Sequence, residues 1–326
     1  MNRVLADEAL ALAAVVRDQV LAAGGVDLLR SAVRRPENRD KINSIFDAAG
    51  VWGLQPLDDG LELEAAAAIC EISGEFALPY PVVERLTRDR HDCPTLLVPT
   101  AAKRCIGVHV DYDWAWSAVD LTGQSYEVIG RGQSLFGTRI APLAGEVFIR
   151  PRAEQQPRLA ALGVTLQCWW LVGLLRKALA DTIKYSGERN QFGRPLRAFQ
   201  AVAFGIADMT VAVEGLEEMA KYTLWSVRED DHGSSALVDS LALRTIALEA
   251  SDIVLRGAHQ YHGAMGFTDE VDISWLSLAS QLPRRLPETE SATRDLLASM
   301  ISASEFEVMR RGRTSAAVEG ESLVSG

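Results

Sequence analysis

Leu10, Ala13, Ala14, Val16 and Val20 recur at helical spacing near the start of the chain, with Asp7, Glu8, Arg17 and Asp18 set between them. This pattern predicts an amphipathic helix and leaves no clean apolar stretch for a signal peptide. Lys41 to Ala49 reads as a short amphipathic helix that stops at Gly50, and the Ala- and Glu-rich run Leu61 to Ser73 as another. Leu78-Pro79-Tyr80-Pro81 then breaks the helical pattern.

From about residue 94 the period changes. Leu96 to Val98, Cys105 to Val110, Trp114 to Leu121, Tyr126 to Ile129 and Glu146 to Ile149 are short β-branched or aromatic runs separated by Gly and Asp. They predict a small sheet domain, little longer than an independent core requires. Helical spacing returns at about residue 155. Gly163 to Gly187 carries Trp169 and Trp170, most simply as core. Leu196 to Glu229 follows the break at Gly193-Arg194-Pro195, and Ser234 to His262 ends at Gly263-x-x-Gly266. Ser234 and Ser235, with Asp239 nearby, mark the start of that last helix. Ser274 to Gln281 and Glu288 to Arg311 supply the rest, so this region reads as an antiparallel four-helix bundle.

The fold expected is therefore mainly α with a small β domain: an N-terminal helical domain over 1–90, an abridged β-sheet domain over 91–152 and a helical bundle over 153–326. Helices, then strands, then helices is not the alternation of a doubly wound sheet. Gly130-Arg131-Gly132 is accordingly a weak dinucleotide candidate, because it lacks the third glycine and a following helix.

Composition narrows the function. Apolar residues make up 48% and charged residues 24%, the balance of a globular chain; only the last dozen residues look disordered by composition. The net charge of −11 argues against a nucleic-acid partner but leaves room for a phosphate-bearing cofactor held by a few placed groups. No apolar run approaches the roughly 18–20 residues of a membrane span. Cys70, Cys93, Cys105 and Cys168 form no C-x-x-C pair and read as reduced core thiols of a cytoplasmic protein.

The most informative stretch is Arg189-Asn190-Gln191-Phe192-Gly193-Arg194-Pro195-Leu196, followed by Phe199-Gln200 and Ala207-Asp208-Met209. A second, Gln260-Tyr261-His262-Gly263-Ala264-Met265-Gly266-Phe267, lies about 70 residues on. Together they resemble the R-x-Q-F-G-x-P and Q-x-x-G-G-x-G-F motifs of the acyl-CoA dehydrogenase superfamily. The resemblance implies FAD as cofactor and an acyl-CoA thioester as substrate. It also implies that Arg189, Gln191 and Phe192 reach the FAD of a neighbouring subunit, while Gln260, Gly263 and Ala264 line the same track. A guanidinium suits a pyrophosphate in charge and fork geometry, and a Phe offers an apolar face. The bundle is the expected oligomer interface. Simpler readings stand beside these. Arg189 can be a cation at a helix C-terminus, Gln200 a surface residue, and His259 and His262, at i, i+3 without a third ligand, structural histidines.

The departures matter equally. Family members need a carboxylate base to remove the α-proton while FAD accepts the β-hydride. The family position for that Glu falls on Pro287, beside Glu288, and the alternative position near the start of the long helix, 160–164, holds no acid. The family's flavin-ring motifs are not found between 90 and 150, the second glycine of the turn is Ala264, and Asp58-Asp59-Gly60 replaces a Gly-Gly loop. This resembles the short, vestigial-site subunit of the heteromeric α2β2 steroid-side-chain acyl-CoA dehydrogenases of actinobacteria, whose longer partner subunit supplies the base. Two alternatives remain: a complete homo-oligomeric enzyme with Glu288 as base, and a redox-silent assembly or binding member.

Overall fold

The computed structural model describes residues 4–35, 39–134 and 143–302. Five helices come first: α1 (Asp7–Ala23), α2 (Asp27–Arg34), α3 (Asp40–Ala48), α4 (Gly60–Glu75) and α5 (Val82–Leu86). The Pro-rich break at 78–81 is thus followed by one further helical turn. A five-stranded sheet follows: β1 (Thr95–Val98), β2 (Arg104–Val108), β3 (Ser117–Asp120), β4 (Gln124–Ser134) and β5 (Ala144–Gln155). Its strand order is β1-β3-β4-β5-β2, with β1 and β3 parallel and the other pairs antiparallel. β5 runs three residues past the expected end of the sheet domain at 152.

The bundle comprises α6 (Pro157–Glu188), α7 (Gln200–Glu229), α8 (Ser234–His262), α9 (Asp272–Arg285) and a helix continuing over 290–302. Between α6 and α7 a two-stranded hairpin, β6 (Asn190–Gln191) and β7 (Arg194–Pro195), stands out from the bundle. Residues 303–326, including the disorder-like tail and the end of the helix expected to reach Arg311, lie outside the described residues.

The start of α8 is capped differently from expectation. Neither Ser234 nor Asp239 bonds the first turn; Asp230 Oδ2 accepts from the backbone N–H groups of Ser235 and Ala236. Asp239 instead accepts from Ser226 Oγ on α7. The cap lies four residues upstream because Gly233, at φ +76°, turns the chain back over the helix end.

The N-terminal helices and the bundle share one core. Phe46, Leu63, Ile69, Trp169, Leu171 and Leu248's neighbour Ala247 belong to a continuous buried set that crosses both regions, whereas the sheet keeps a small cluster around Leu96, Trp116, Tyr126 and Val147. α6 is the axis of that core. It corrects the expectation about apolar runs: by length and composition it is apolar enough to cross a membrane, but 83% of its most apolar window is buried inside the protein. Of the four cysteines, all free, Cys93 is only partly buried and so is not a core thiol.

Two arginines tie the sheet to the N-terminal helices. Arg39 pairs with Asp111, and Arg85 stacks 3.7 Å over Trp52 and 5.0 Å from Trp114 while donating to Asn43 Oδ1 and the Tyr80 hydroxyl. A stacked, hydrogen-bonded guanidinium of this kind adds rigidity to a domain junction.

Candidate functional site

The chain presents an outer cleft and an inner chamber. The cleft, of about 620 Å³, opens between the end of α6, the β6–β7 hairpin, the start of α7 and the α8 terminus. Five of the six residues expected on a cofactor track line it: Arg189, Gln191, Gln260, Gly263 and Ala264. All five are exposed. The hairpin and the Gly263 turn, about 70 residues apart in the chain, are brought side by side because α6, α7 and α8 pack antiparallel. The ring of Tyr185 on α6 also stacks on His262 of α8 at 4.4 Å. His262 is buried, with Nδ1 2.8 Å from Ala258 O, and His259 stacks on Phe267; among the described residues no group of side chains forms a metal site.

Arg189 occupies the C-cap of α6, where its N–H donates to Tyr185 O. Its guanidinium has no hydrogen-bond or ion-pair partner among the described residues, so the side chain does not cap the helix it terminates. Phe192 is 92% exposed at the hairpin tip, outside the cleft lining, with φ +51° beside Gly193 at φ +80°. Two successive positive φ values make the primed turn that a two-residue hairpin favours. Glycine adopts that geometry freely; a phenylalanine does not, and such strain concentrates at contact sites.

The chamber, about 110 Å³, lies where α5, the sheet, α6 and α9 meet. Its walls are mainly aliphatic, with Tyr80, Glu84, Thr87, Thr95, His109 and Gln167 as the polar exceptions. Burial pushes the Glu84 carboxyl up to about 7 and, with the Arg39 charge, pushes His109 down to about 3. Glu288 does not line it. Its Oε1 accepts the Thr100 N–H at 2.9 Å on the outer side.

Arg244, which the sequence reading missed, explains that placement. It is fully buried on α8 and donates to Gln167 Oε1 (2.6 Å), Leu286 O (2.6 Å), Glu288 O (3.1 Å) and Pro283 O (3.3 Å). The guanidinium therefore pins the segment after α9 by its carbonyls, placing Leu286 on the chamber wall and turning the Glu288 side chain away. A buried cation of this kind is stabilised by the helix C-terminus it serves.

The carboxyl of Glu84 makes stability depend on pH. Its folded value lies above the ordinary one, so its contribution is fully favourable below about pH 4.5. It is lost as pH rises through about 7, where the folded chain must carry a buried charge. His109 has the opposite sign: its contribution is present above about 6.5 and is lost as pH falls towards 3. Glu84→Gln is expected to raise the unfolding free energy by about 2–3 kcal/mol at pH 8 and to change it little at pH 4.5. Urea unfolding of both proteins at the two pH values checks this; a pH-independent difference would contradict it.

Residues 163–298 match the family model "Acyl-CoA dehydrogenase, C-terminal domain". The short-chain specific acyl-CoA dehydrogenase of Megasphaera elsdenii is 30% identical over 113 residues, 35% of this chain and 28% of that protein. Acyl-CoA dehydrogenase FadE28 of Mycobacterium tuberculosis is 33% identical over 110 residues, 33% of this chain and 31% of that protein. The match thus spans under a third of either relative. Among solved structures, a chain of the ChsE4-ChsE5 complex from Mycobacterium tuberculosis superposes with TM-score 0.73 at 18% identity, covering 93% of this chain and 99% of that one. A steroid ACAD variant, Tcur3481-Tcur3483, superposes equally well.

Proposed function

We propose, from the match of residues 163–298 to the acyl-CoA dehydrogenase C-terminal domain and from the likeness in fold to acyl-CoA dehydrogenases, that this chain is the short subunit of a heteromeric FAD-dependent acyl-CoA dehydrogenase. The cofactor of the family is FAD, which takes up a hydride when a carboxylate base removes the α-proton of the thioester. In this reading a longer partner subunit supplies that base, and the pair introduces an α,β double bond into an acyl-CoA, with a bulky steroid side chain as the substrate class. The likeness in fold to the Tcur3481-Tcur3483 steroid ACAD supports that class, and the likeness to a chain of the ChsE4-ChsE5 complex supports pairing with an unlike chain, which this reading takes as α2β2.

The observation that carries the proposal is the outward-facing donor set. An unpaired guanidinium at Arg189, the amides of Gln191 and Gln260, and the small residues Gly263 and Ala264 converge on one open cleft. That set fits a pyrophosphate and its ribityl neighbour: the fork of Arg189 matches phosphate oxygens, and the small residues allow close approach of backbone. Phe192, projecting from the hairpin tip, would cover the apolar end of the cofactor. None of these groups lines the inner chamber and all are exposed, as a contact to another subunit's cofactor requires.

The test is the visible absorbance spectrum of the chain purified alone and then with a co-expressed longer dehydrogenase. A colourless chain that turns yellow with its partner, at a single FAD per pair, is expected. A stoichiometric flavin spectrum from the lone chain would overturn the shared-site reading. The homo-oligomeric alternative makes its own prediction at Glu288. With that carboxylate engaged by Thr100 and outside the chamber, Glu288→Gln is expected to change turnover of the assembled enzyme by less than about twofold. A loss of several orders of magnitude in steady-state rate would restore Glu288 as the base.

A further inference from the structure

We propose that the inner chamber is a ligand site of this chain in its own right, taking a ring-sized apolar group whose single hydroxyl donates a hydrogen bond to Glu84. This goes beyond the shared-flavin reading, which leaves the chain's own site vestigial, and does not depend on it.

The volume of about 110 Å³ is of the order of the ~150 Å³ apolar cavity that admits benzene. Leu97 and Ile106 from the sheet face Leu282 and Leu286 from the end of α9, so most of the lining rewards an apolar occupant. The polar lining is not evenly spread. Gln167 is used by Arg244, Thr95 by Ser117, and the Tyr80 hydroxyl by Asn43 and Arg85. Three groups are left over. Glu84 makes no hydrogen bond or ion pair beyond its own backbone among the described residues. Thr87 Oγ1, in a side chain 1% exposed, and His109 Nδ1, in one 8% exposed, have no partner.

Those three groups come from two sides of one chamber. Glu84 and Thr87 lie one turn apart along α5 and its C-cap, and His109 follows β2 on the facing sheet. Buried polar groups without partners are costly, and a structure that keeps two of them, Thr87 Oγ1 and His109 Nδ1, beside the free carboxyl of half-buried Glu84 around one cavity is matched to something that supplies the missing bonds. The left-handed backbone of His109, φ +60°, is a further strained feature at the same place. The carboxylate accepts, and the Thr87 hydroxyl and the His109 ring nitrogen can donate. One hydroxyl on an apolar ring donates to the carboxylate and accepts from the other two; a second carboxylate would be repelled, and a pure hydrocarbon would leave all three bare.

The isosteric pair phenol and toluene separates these cases. Both are titrated calorimetrically into the full chain, and intermolecular NOEs from the ring protons to the Leu97 and Leu282 methyls locate them. Phenol is expected to bind about tenfold more tightly than toluene, the worth of one hydrogen bond to a charged or polar acceptor, with NOEs to both leucines. Glu84→Leu is expected to reverse the order. If that variant does not fold, the wild-type ratio and the NOEs still decide. Toluene binding as well as phenol overturns the Glu84 assignment. No binding, or NOEs elsewhere, overturns the chamber as a ligand site. None of these readouts involves flavin, so a chain that failed the spectral test above could still pass this one, and the reverse.

Discussion

Replacing Gly173 with alanine is expected to lower the unfolding free energy by about 3 kcal/mol, one of the largest effects of any single methyl group in this chain. A Cβ at Gly173 would lie 1.8 Å from Glu71 O on α4, and one at Gly74 would lie 1.8 Å from Trp170 O on α6. The two glycines therefore face each other's helices, and their backbones meet where side chains would normally hold them apart. Alanine is the better helix former by about 1 kcal/mol, so a net loss would come entirely from forcing α4 and α6 apart. That separation would disturb the core shared by the N-terminal helices and the bundle, including Trp170 on the chamber wall. Urea titration reads the effect as a fall in midpoint at constant slope. Because one displacement relieves both clashes, the double variant Gly74→Ala/Gly173→Ala should cost less than the sum of the two single changes. Additive costs would show that the clashes are relieved separately.

The helix and strand segments were legible because their hydrophobic period is long and their ends are punctuated. Ser234 to His262, flanked by Gly233 and Gly263, is α8 to the residue. The cleft was legible for a related reason: Arg189 to Phe192 and Gln260 to Ala264 are two contiguous stretches, so each declares itself locally. The chamber is different. Glu84 follows a Pro-rich break that reads as the end of helix, His109 sits in a loop after β2, and Arg244 is one cation among the charges of a long helix. Nothing within about ten residues of any of them signals burial; the layers that bury them come from three separate regions. The cap of α8 failed on a smaller scale. Serine at a helix start is a good local signal, but Asp230 reaches the same N–H groups from across a tight turn. The apolar reach of α6 was misjudged in the same way, since counting unbroken apolar runs stops at isolated polar residues such as Thr165 and Gln167 inside an otherwise apolar helix.

Arg189→Ala should separate function from fold more cleanly than any other change in the cleft. The guanidinium is exposed and makes no bond within the chain, so its removal is expected to leave the thermal midpoint of the lone chain where it was, within about 0.5 kcal/mol of stability. In the assembled enzyme the same change is expected to weaken FAD retention by about 2–3 kcal/mol, some 30–150-fold in Kd, the scale of a charge-assisted, forked contact to phosphate. Arg189→Lys keeps the charge and loses the fork, so it should fall between. Flavin content after gel filtration of the assembled enzyme, measured at low and moderate salt, reads all three proteins. A purely long-range electrostatic role would make lysine equivalent to arginine and would fade as salt rises. A bidentate contact would keep the order arginine, lysine, alanine at both salts. Unchanged flavin content and turnover in Arg189→Ala would remove the in-trans clasp altogether. The unpaired guanidinium would then stand as a solubilising charge beside a strained, exposed Phe192, and that pairing would have no account in a chain acting alone.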